Sequence, residues 1–271
     1  MLYFGVIGHP IGHSASPIMH NTVFRTLNID AIYLPFDVKP ENLKDAVYGA
    51  RALGFKGLNV TIPHKEEITK YVKPVGLAER IGAVNTVDVP KLEGYNTDAI
   101  GALRTLEAYN VDYEGKVVLI VGAGGVARAI AFALAGKSTL IITNRTASRG
   151  LKLAEDVRKY GECIFYPYER VEELKGKFDI LINCTPLGMK GFEEKLPVPE
   201  SLIENVVVFD TVYNPIETPL IKLAKKRGCK VIYGLDMLVY QGAEAFKIWF
   251  GFDPPILVMR DAVVEFLRQH L

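Results

Sequence analysis

The feature that most constrains the fold is a short apolar run that ends in a glycine-rich segment. Residues 117–121 are all valine, leucine or isoleucine, and Gly122-Ala123-Gly124-Gly125-Val126-Ala127 follows directly. A buried strand that enters G-x-G-x-x-A at the start of a helix is typical of a dinucleotide-binding βα unit. In such a unit Gly122 permits the tight turn, Gly124 lets the backbone approach a pyrophosphate, and Ala127 lets the helix pack closely on the strand. A glycine triplet alone can be mere turn geometry, but its place between a strand and a helix favours a nucleotide site.

The next predicted strand is followed by arginines where an acid would bind NAD. Asn144-Arg145-Thr146-Ala147-Ser148-Arg149 comes directly after the strand predicted at 139–143. An NAD site places Asp or Glu about twenty residues after the glycines, on the ribose hydroxyls. Arg145 and Arg149 instead suit the 2′-phosphate of NADP. The alternative is a solvated helix start with Thr146 as its N-cap, but the absent carboxylate favours NADP as the cofactor.

Alternating strand and helix patterns predict an α/β fold with two domains. The first, residues 1–101, is expected to hold a mostly parallel sheet with strands near 2–8, 32–38, 57–61 and 83–89, and helices near 17–27, 41–53 and 65–71. A helix from 98 to 109 leads to the second, residues 102–236, a doubly wound Rossmann-type pattern with strands near 117–121, 139–143, 162–166, 179–183, 206–210 and 230–233. No further strand of the second sheet follows the helices near 237–250 and 256–269. Residues 237–271 are therefore expected to pack with the first domain. This fold class places a cleft between the domains.

Composition limits the class of partner. The 271 residues carry 32 Lys and Arg against 31 Asp and Glu, so no net field would hold the chain on nucleic acid or on an anionic membrane. The scattered Cys163, Cys184 and Cys229, together with His9 and His13, lack metal-ligand spacing, which predicts no metal site and a reducing compartment. Because no basic leader precedes the first strand, we expect a cytoplasmic protein that binds a small molecule. The sequence leaves open whether it forms a homodimer.

Ser14 and Ser16 are candidate substrate-binding residues in the first domain. They lie in the loop 8–17 between a predicted strand and a predicted helix, where both hydroxyls could donate to a carboxylate. The simpler interpretation is that Ser16 caps the helix, with Pro17 at the first helical position.

Lys65 and Asp98 are candidates for proton transfer. Lys65 follows the strand 57–61, at the carboxyl end where open sheets bind ligands, and its charge would oppose the dipole of the predicted helix 65–71. Asp98 has two interpretations, either a cap of the helix that follows it or a partner for Lys65. As a pair they could move a proton at a carbonyl or alcohol carbon.

Together these motifs resemble those of the shikimate dehydrogenase family, in the same order along the whole chain. The matching blocks are Gly8-His9-Pro10-Ile11, Ser14-Ala15-Ser16-Pro17, Asn59-Val60-Thr61-Ile62-Pro63-His64-Lys65, Gly82-Ala83-Val84-Asn85-Thr86, Asn96-Thr97-Asp98, Gly122-Ala123-Gly124-Gly125, Asn144-Arg145-Thr146, Asn183-Cys184-Thr185-Pro186-Leu187-Gly188-Met189, Asp210-Thr211-Val212-Tyr213-Asn214-Pro215, and Gly234 with Met237-Leu238 and Gln241. Two departures, Cys184 for the family's Ala and Ala99 for its Gly, remove no functional group.

The resemblance implies an oxidoreductase that reduces 3-dehydroshikimate to shikimate with NADPH, in chorismate and aromatic amino acid biosynthesis. It implies that Lys65 and Asp98 are the catalytic pair. The substrate residues that it implies are Ser14, Ser16, Thr61, Asn85, Asp98, Tyr213 and Gln241. The residues that it places along NADP are Gly122, Ala123, Gly124, Gly125, Val126, Asn144, Arg145, Thr146, Arg149, Thr185, Val212 and Gly234.

Two alternatives stay open at this point. One is an NAD-preferring quinate/shikimate dehydrogenase, against which Arg145, Arg149 and the absent acid argue. The other is a non-catalytic, ligand-sensing relative, against which Lys65, Asp98 and the intact glycine loop argue. The sequence shows neither a helix-turn-helix pattern nor a basic tail.

Overall fold

The computed structural model describes residues 1–12, 14–189, 191–192 and 195–269. His13, which the sequence analysis considered as a metal ligand and set aside, lies outside this set. The chain divides into two compact units, Met1–Gly101 with Val239–Leu271, and Ala102–Leu238. Each unit contains its own six-stranded sheet. The predicted fold class, two α/β units with mostly parallel sheets, is confirmed.

The described elements follow the predicted alternation of strands and helices. The strands are β1 Leu2–Gly8, β2 Ala31–Asp37, β3 Gly57–Val60, β4 Lys73–Pro74, β5 Thr86–Asp88, β6 Glu93–Tyr95, β7 Val117–Val121, β8 Thr139–Asn144, β9 Cys163–Pro167, β10 Ile180–Asn183, β11 Val207–Asp210 and β12 Lys230–Tyr233. The helices are α1 Ser16–Thr26, α2 Leu43–Ala52, α3 Leu77–Ile81, α4 Thr97–Ala108, α5 Gly125–Leu134, α6 Ala147–Arg158, α7 Pro219–Lys226, α8 Gly234–Phe250 and α9 Ile256–Gln269.

The sheet of the first unit has the strand order β2-β1-β3-β5-β6-β4. β1 pairs in parallel with β2 and β3, and β4 with β6, whereas β5 is antiparallel to both of its neighbours. On one face Phe4 packs against Phe24 of α1 and Trp249 of α8, with ring centroids 5.5 and 5.0 Å away. Since side chains alternate along a strand, Ile7 of β1 points to the opposite face and packs in a cluster with Val47 of α2. Helices therefore bury both faces of this sheet.

Strand β2 lies at the edge of this sheet, and its outer side is closed by a side chain. The amide of Asn21 accepts the N–H of Tyr33 at 2.9 Å and donates to its carbonyl oxygen at 2.8 Å. Alternate residues of a strand present their backbone groups to the same edge, so Pro35 faces outward as well and has no N–H to offer. The N–H of Ala31 is bonded to the carbonyl oxygen of Ile29 at 2.8 Å. From Ala31 to Pro35 the outer edge of β2 therefore has no free N–H.

The sheet of the second unit is parallel throughout, with the strand order β12-β11-β10-β7-β8-β9. The first strand, β7, lies in the middle, and the direction of the succession reverses between β7 and β10. This order is the doubly wound arrangement that the sequence predicted. The reversal leaves a crevice outside the carboxyl ends of β7 and β10, where open parallel sheets bind ligands.

Three local predictions in the first unit are wrong or incomplete. Residues 65–71 do not form an α-helix, because only Glu67–Lys70 make a 3₁₀ turn and Lys65 lies before it. A single turn has little dipole for Lys65 to oppose, so that argument for its function falls away. The strand predicted at 83–89 is limited to β5, and β4 and β6, of two and three residues, were missed because segments so short have no periodicity.

The apolar run 117–135 is a strand followed by a helix, as the sequence predicted. Among the described residues no helix has both the length and the apolarity that crossing a bilayer requires. In the same part of the chain no three His, Cys, Asp or Glu side chains group in a way that could hold a metal ion. Which ligand each unit binds, and the cleft between the domains, stay predictions.

Candidate active site

Lys65 and Asp98 form a close ion pair in the first unit. Lys65 Nζ lies 2.6 Å from Asp98 Oδ2, and the two side chains are 15% and 10% exposed. The carbonyl oxygen of Lys65 accepts the N–H of Val84 at 2.7 Å, which holds the backbone of the turn. An ammonium has three donors, so Lys65 can bind Asp98 and still offer two N–H groups to a ligand. The arrangement can therefore hold and transfer a proton.

Asp98 is available to Lys65 because amide side chains bind the first N–H groups of α4. Asn96 Oδ1 accepts the N–H of Ala99 at 3.1 Å, and Asn85 Oδ1 accepts the N–H of Thr97 at 2.6 Å. The first turn of a helix has no acceptors of its own for these groups, so a side chain must supply them. The interpretation of Asp98 as the cap of this helix is wrong.

Asn85 is held in a buried hydrogen-bond network. Its Oδ1 also accepts the hydroxyls of Thr86 and Thr97, each at 3.2 Å. These bonds set the orientation of the amide, with Oδ1 toward the donors and Nδ2 away from them. Asn85 Nδ2 has no hydrogen-bond partner among the residues that the structure describes. It is a donor available to a ligand.

Two residues that the sequence analysis missed as site residues, Tyr33 and Asn59, extend this network. The Tyr33 hydroxyl donates to Asn59 Oδ1 at 2.7 Å, and Asn59 Nδ2 donates to the Asn85 carbonyl oxygen at 3.2 Å and to Thr86 Oγ1 at 3.0 Å. Burial raises the pKa of Tyr33 well above its usual value, and the neighbouring Ser16 hydroxyl opposes that shift. Asn59 had a signal, because a polar side chain in a buried four-residue strand needs partners. Tyr33 had none, since an aromatic residue in a strand is ordinary.

The alternative interpretation, that Ser16 caps α1, is wrong. Ala15 occupies the N-cap position and Ser16 is the first helical residue, so Pro17 takes the second position, where its missing N–H costs no bond. Ser16 is buried, and its N–H donates to Ser14 Oγ at 3.3 Å. The two serines therefore contact each other, and Ser16 also lies beside the Tyr33 hydroxyl.

The remaining predicted substrate residues have different surroundings. Thr61 follows β3 and is half-buried. Gln241 Oε1 of α8 lies 3.5 Å from the Thr97 hydroxyl oxygen, which is 3.2 Å from Asn85 Oδ1, so Thr97 lies between Gln241 and Asn85. Tyr213 belongs to the second unit, where burial raises its pKa, and its role as a substrate residue stays a prediction.

The glycine loop of the second unit has the features that a pyrophosphate needs. Gly122 has a φ of +116°, and a Cβ there would lie 2.9 Å from the carbonyl oxygen of Cys184, so only glycine fits. Gly124 is the N-cap of α5, and a Cβ on it would meet no atom within 4 Å. The N–H groups of Gly125 and Val126, in the first turn of the helix, have no acceptor within it. Open space beside free N–H groups suits a bound anion.

Arg145 and Arg149 follow β8, the strand next to β7. Asn144 Nδ2 donates to the carbonyl oxygen of Thr146 at 2.8 Å, and this bond fixes the turn that contains Arg145. Thr146 is the N-cap of α6, although its side chain makes no capping bond. Both arginines are exposed, and neither forms an ion pair with any residue that the structure describes. Guanidinium groups without an ion-pair partner, at the carboxyl end of β8, fit the additional phosphate of NADP.

The other predicted cofactor residues follow β10, β11 and β12. Thr185 lies against the glycine loop, with its Cγ2 3.3 Å from a Cβ placed on Gly122. The Val212 N–H donates to Asp210 Oδ1 at 3.1 Å. A Cβ on Gly234 would lie 2.5 Å from the backbone that follows β11, so this close approach requires glycine. All three residues lie at the carboxyl ends of their strands.

Known families match three successive parts of the chain. Residues 6–87 match the family described as Shikimate dehydrogenase substrate binding domain, residues 104–191 Shikimate / quinate 5-dehydrogenase, and residues 234–264 Shikimate 5'-dehydrogenase C-terminal domain. The shikimate dehydrogenase (NADP(+)) of Archaeoglobus fulgidus is 55% identical over 270 residues, 99% of this chain and 100% of that protein. This chain belongs to the shikimate dehydrogenase family.

Solved structures of the shikimate dehydrogenase family have the same fold. A shikimate dehydrogenase in complex with NADP+ is 44% identical with a TM-score of 0.93, over 98% of this chain and 96% of that one. The shikimate 5-dehydrogenase of Thermus thermophilus in complex with NADP(H) and shikimate is 37% identical with a TM-score of 0.87, over the full length of both. A quinate dehydrogenase from Corynebacterium glutamicum in complex with NAD is 30% identical with a TM-score of 0.91, over 97% of this chain and 99% of that one. The fold alone therefore does not decide between the two cofactors.

The stability of the chain should depend on pH through Asp210. Burial raises the pKa of this carboxyl from 3.8 to about 6 in the folded chain. The protonated form is therefore favoured by folding, and this stabilisation, complete below the unfolded pKa, is lost as the pH rises through about 6. Relative to Asp210→Asn, the free energy of unfolding of the wild type should fall by about 2 kcal/mol between pH 4 and pH 7. Urea unfolding of both proteins across this range measures the difference, and a difference that stays constant would contradict the assignment.

Proposed function

We propose that this chain is an NADP-dependent oxidoreductase that catalyses the reversible reduction of 3-dehydroshikimate to shikimate, in chorismate and aromatic amino acid biosynthesis. The observation that carries the proposal is the shielded pair of Lys65 and Asp98, 2.6 Å apart, in a chain of this family. Lys65 and Asp98 are the catalytic residues of the proposal. Cytoplasmic location stays a prediction, and a homodimer stays an open question.

The pair supplies the proton that ketone reduction needs. When bound, NADPH supplies a hydride to the carbonyl carbon of 3-dehydroshikimate. Negative charge develops on the carbonyl oxygen, which must be hydrogen-bonded and then protonated. Lys65 Nζ donates the hydrogen bond and transfers the proton to that oxygen. Asp98 holds Nζ in position and stabilises its charge before the transfer, and in the reverse direction the proton returns to the same pair.

The neighbouring polar groups suit a small polyhydroxylated acid. Asn85 Nδ2 donates to a ring hydroxyl, since Oδ1 of the same amide is already bonded to Thr86 and Thr97. Hydroxyl and phenol groups can bind a carboxylate without a fixed positive charge. The further substrate residues in the proposal are Ser14, Ser16, Thr61, Tyr213 and Gln241.

The second unit holds the cofactor in this proposal. The turn at Gly122 and the open side of Gly124 receive the pyrophosphate, together with the N–H groups at the start of α5. Arg145 and Arg149 bind the 2′-phosphate. The remaining residues proposed along the cofactor are Ala123, Gly125, Val126, Asn144, Thr146, Thr185, Val212 and Gly234.

A comparison of cofactors and substrates tests the function. Purified protein should oxidise shikimate with NADP+ at a kcat/KM at least about tenfold above that with NAD+, because one charge-assisted phosphate bond contributes roughly 1.5–3 kcal/mol. Quinate is measured with both cofactors in the same series. A preference for NAD+ would identify the NAD-preferring quinate/shikimate alternative. No turnover of either substrate would favour the ligand-sensing relative.

Removing the amine of Lys65 should abolish most of the proton transfer. Losing a general acid typically costs about 10²–10⁴-fold, so Lys65→Ala should lower kcat by that factor and change the shikimate KM much less. Asp98→Asn should also lower kcat sharply, and the double variant should lose far less than the product of the two effects. Lys70, an exposed lysine paired with Glu67 on the adjacent 3₁₀ turn, provides the control Lys70→Ala, which should leave both constants unchanged. A Lys65→Ala protein that keeps more than about a tenth of the wild-type kcat would refute the role.

Arg149→Ala should weaken the use of NADP+ selectively. The KM for NADP+ should rise by about one to two orders of magnitude, the equivalent of one lost charge-assisted bond, with almost no change for NAD+. Lys152→Ala removes an exposed cation from the same helix and should affect neither cofactor. Equal losses with both cofactors would show that Arg149 does not bind the 2′-phosphate.

A further inference from the structure

Asp210 is a buried carboxylate that the proposed chemistry does not use. It ends β11, directly opposite Asn183 at the end of β10, and neither residue has exposed surface. Its hydrogen-bond partners are neutral donors, and no cation pairs with it in the described part of the chain. Burying a charge without a counter-charge costs far more than burying a neutral group. If residue 210 only connected the ends of β10 and β11, a neutral side chain would make the fold more stable than this charged one. The carboxylate therefore needs another explanation.

Both carboxylate oxygens of Asp210 act as acceptors. Oδ1 accepts the Val212 N–H at 3.1 Å, and Oδ2 accepts the Thr218 hydroxyl at 2.6 Å. The oxygen of Thr218 in turn accepts the N–H of Ile221 at 3.2 Å as the cap of α7, so its one proton is left for Asp210. An asparagine at 210 could keep its oxygen on the Val212 side only by turning its NH₂ group to Thr218, whose proton would then lose its acceptor. A carboxylate is the side chain that accepts on both sides.

Asn183 fixes the loop after β10 and connects it to Asp210. Its Oδ1 accepts the N–H and the hydroxyl of Thr185, at 3.0 and 2.7 Å. Its Nδ2 donates to Asp210 Oδ1 at 2.9 Å and to the Leu187 carbonyl oxygen at 3.2 Å. The loops that follow β10 and β11 are therefore held by one continuous set of hydrogen bonds.

The loop after β10 borders the crevice where the strand order reverses. β10 pairs with β7 so that Asn183 stands opposite Val121, the residue before the glycine loop. Thr185 lies directly against Gly122, close enough that a Cβ there would be 3.3 Å from its methyl group. Thr185, which Asn183 holds, therefore lies against the loop where the proposed function places the pyrophosphate of the nucleotide.

We propose that Asp210 is a positioning residue which, together with Asn183, holds Thr185 and Val212 as one wall of the NADP site. This inference rests on the proposed function, since it takes the ligand of the second unit to be NADP. Asp210 then sets the affinity for NADP and changes the affinity for shikimate much less, because Tyr213 is the one proposed substrate residue that belongs to the second unit. In this proposal the unfavourable free energy of burying the Asp210 charge is offset by the rigidity that its hydrogen bonds give to this wall.

Ligand affinities of Asp210→Asn test the inference without turnover. Titration calorimetry with NADP+ alone should give a Kd at least about tenfold above the wild-type value, and titration with shikimate alone a Kd that rises by less than about threefold. Asp112→Asn makes the same chemical change at an exposed position of the second unit and should change neither Kd. A folded Asp210→Asn protein with the wild-type Kd for NADP+ would overturn the inference. Equal weakening of both ligands would do so too, because it would indicate a general structural role.

A second variant decides the matter if Asp210→Asn does not fold. Thr218→Val removes the donor to Asp210 Oδ2 and should raise the Kd for NADP+ much more than the Kd for shikimate. An unchanged Kd for NADP+ would overturn the inference. The proposed function fails separately. A wild-type protein that binds NADP+ but does not oxidise shikimate counts against that function, whereas the effect of Asp210→Asn on NADP+ binding still decides the inference.

Discussion

The site of the first unit depends on how the start of α4 is capped. Asn96 and Asn85 supply neutral amide oxygens to its first N–H groups. Had the carboxylate of Asp98 served there, Lys65 would have kept a shielded ammonium without a counter-charge, which is far more costly than an uncharged cap. The ion pair therefore exists because neutral groups satisfy the backbone and leave the two charges for each other.

The two units place polar groups at the ends of strands in different ways. In the first unit these groups are side chains whose orientation is set by buried hydrogen bonds, as for Asn85 among Thr86 and Thr97. In the second unit backbone N–H groups beside Gly124 and the exposed Arg145 and Arg149 offer positive potential. The first arrangement suits a ligand with many hydroxyls, which needs directional bonds. The second suits a ligand with several phosphates, which needs donors and charge.

The elements that the sequence predicted correctly are those whose residues form a recognisable pattern within one short segment. β7 and the start of α5 were recognisable because consecutive aliphatic residues are followed directly by glycines. The second sheet has the doubly wound arrangement that the sequence predicted. β4 and β6 were too short to show a period, and the 3₁₀ turn at 67–70 resembled a helix in composition. In the site, motif residues such as Lys65 were found from their place after strands. Tyr33, which lies 26 residues from Asn59, and Asp210, which lies 27 from Asn183, acquire their partners only through folding, so no local pattern marks them.

The closed outer edge of β2 restricts how copies of this chain can associate. A strand from a neighbouring molecule would meet no free N–H between Ala31 and Pro35, so a sheet cannot extend across molecules at this edge as it does in fibrils. Asn21, which closes the edge at Tyr33, precedes β2 in the chain. During synthesis the residue that protects this edge therefore leaves the ribosome before the strand itself, and β2 can be covered as soon as it pairs.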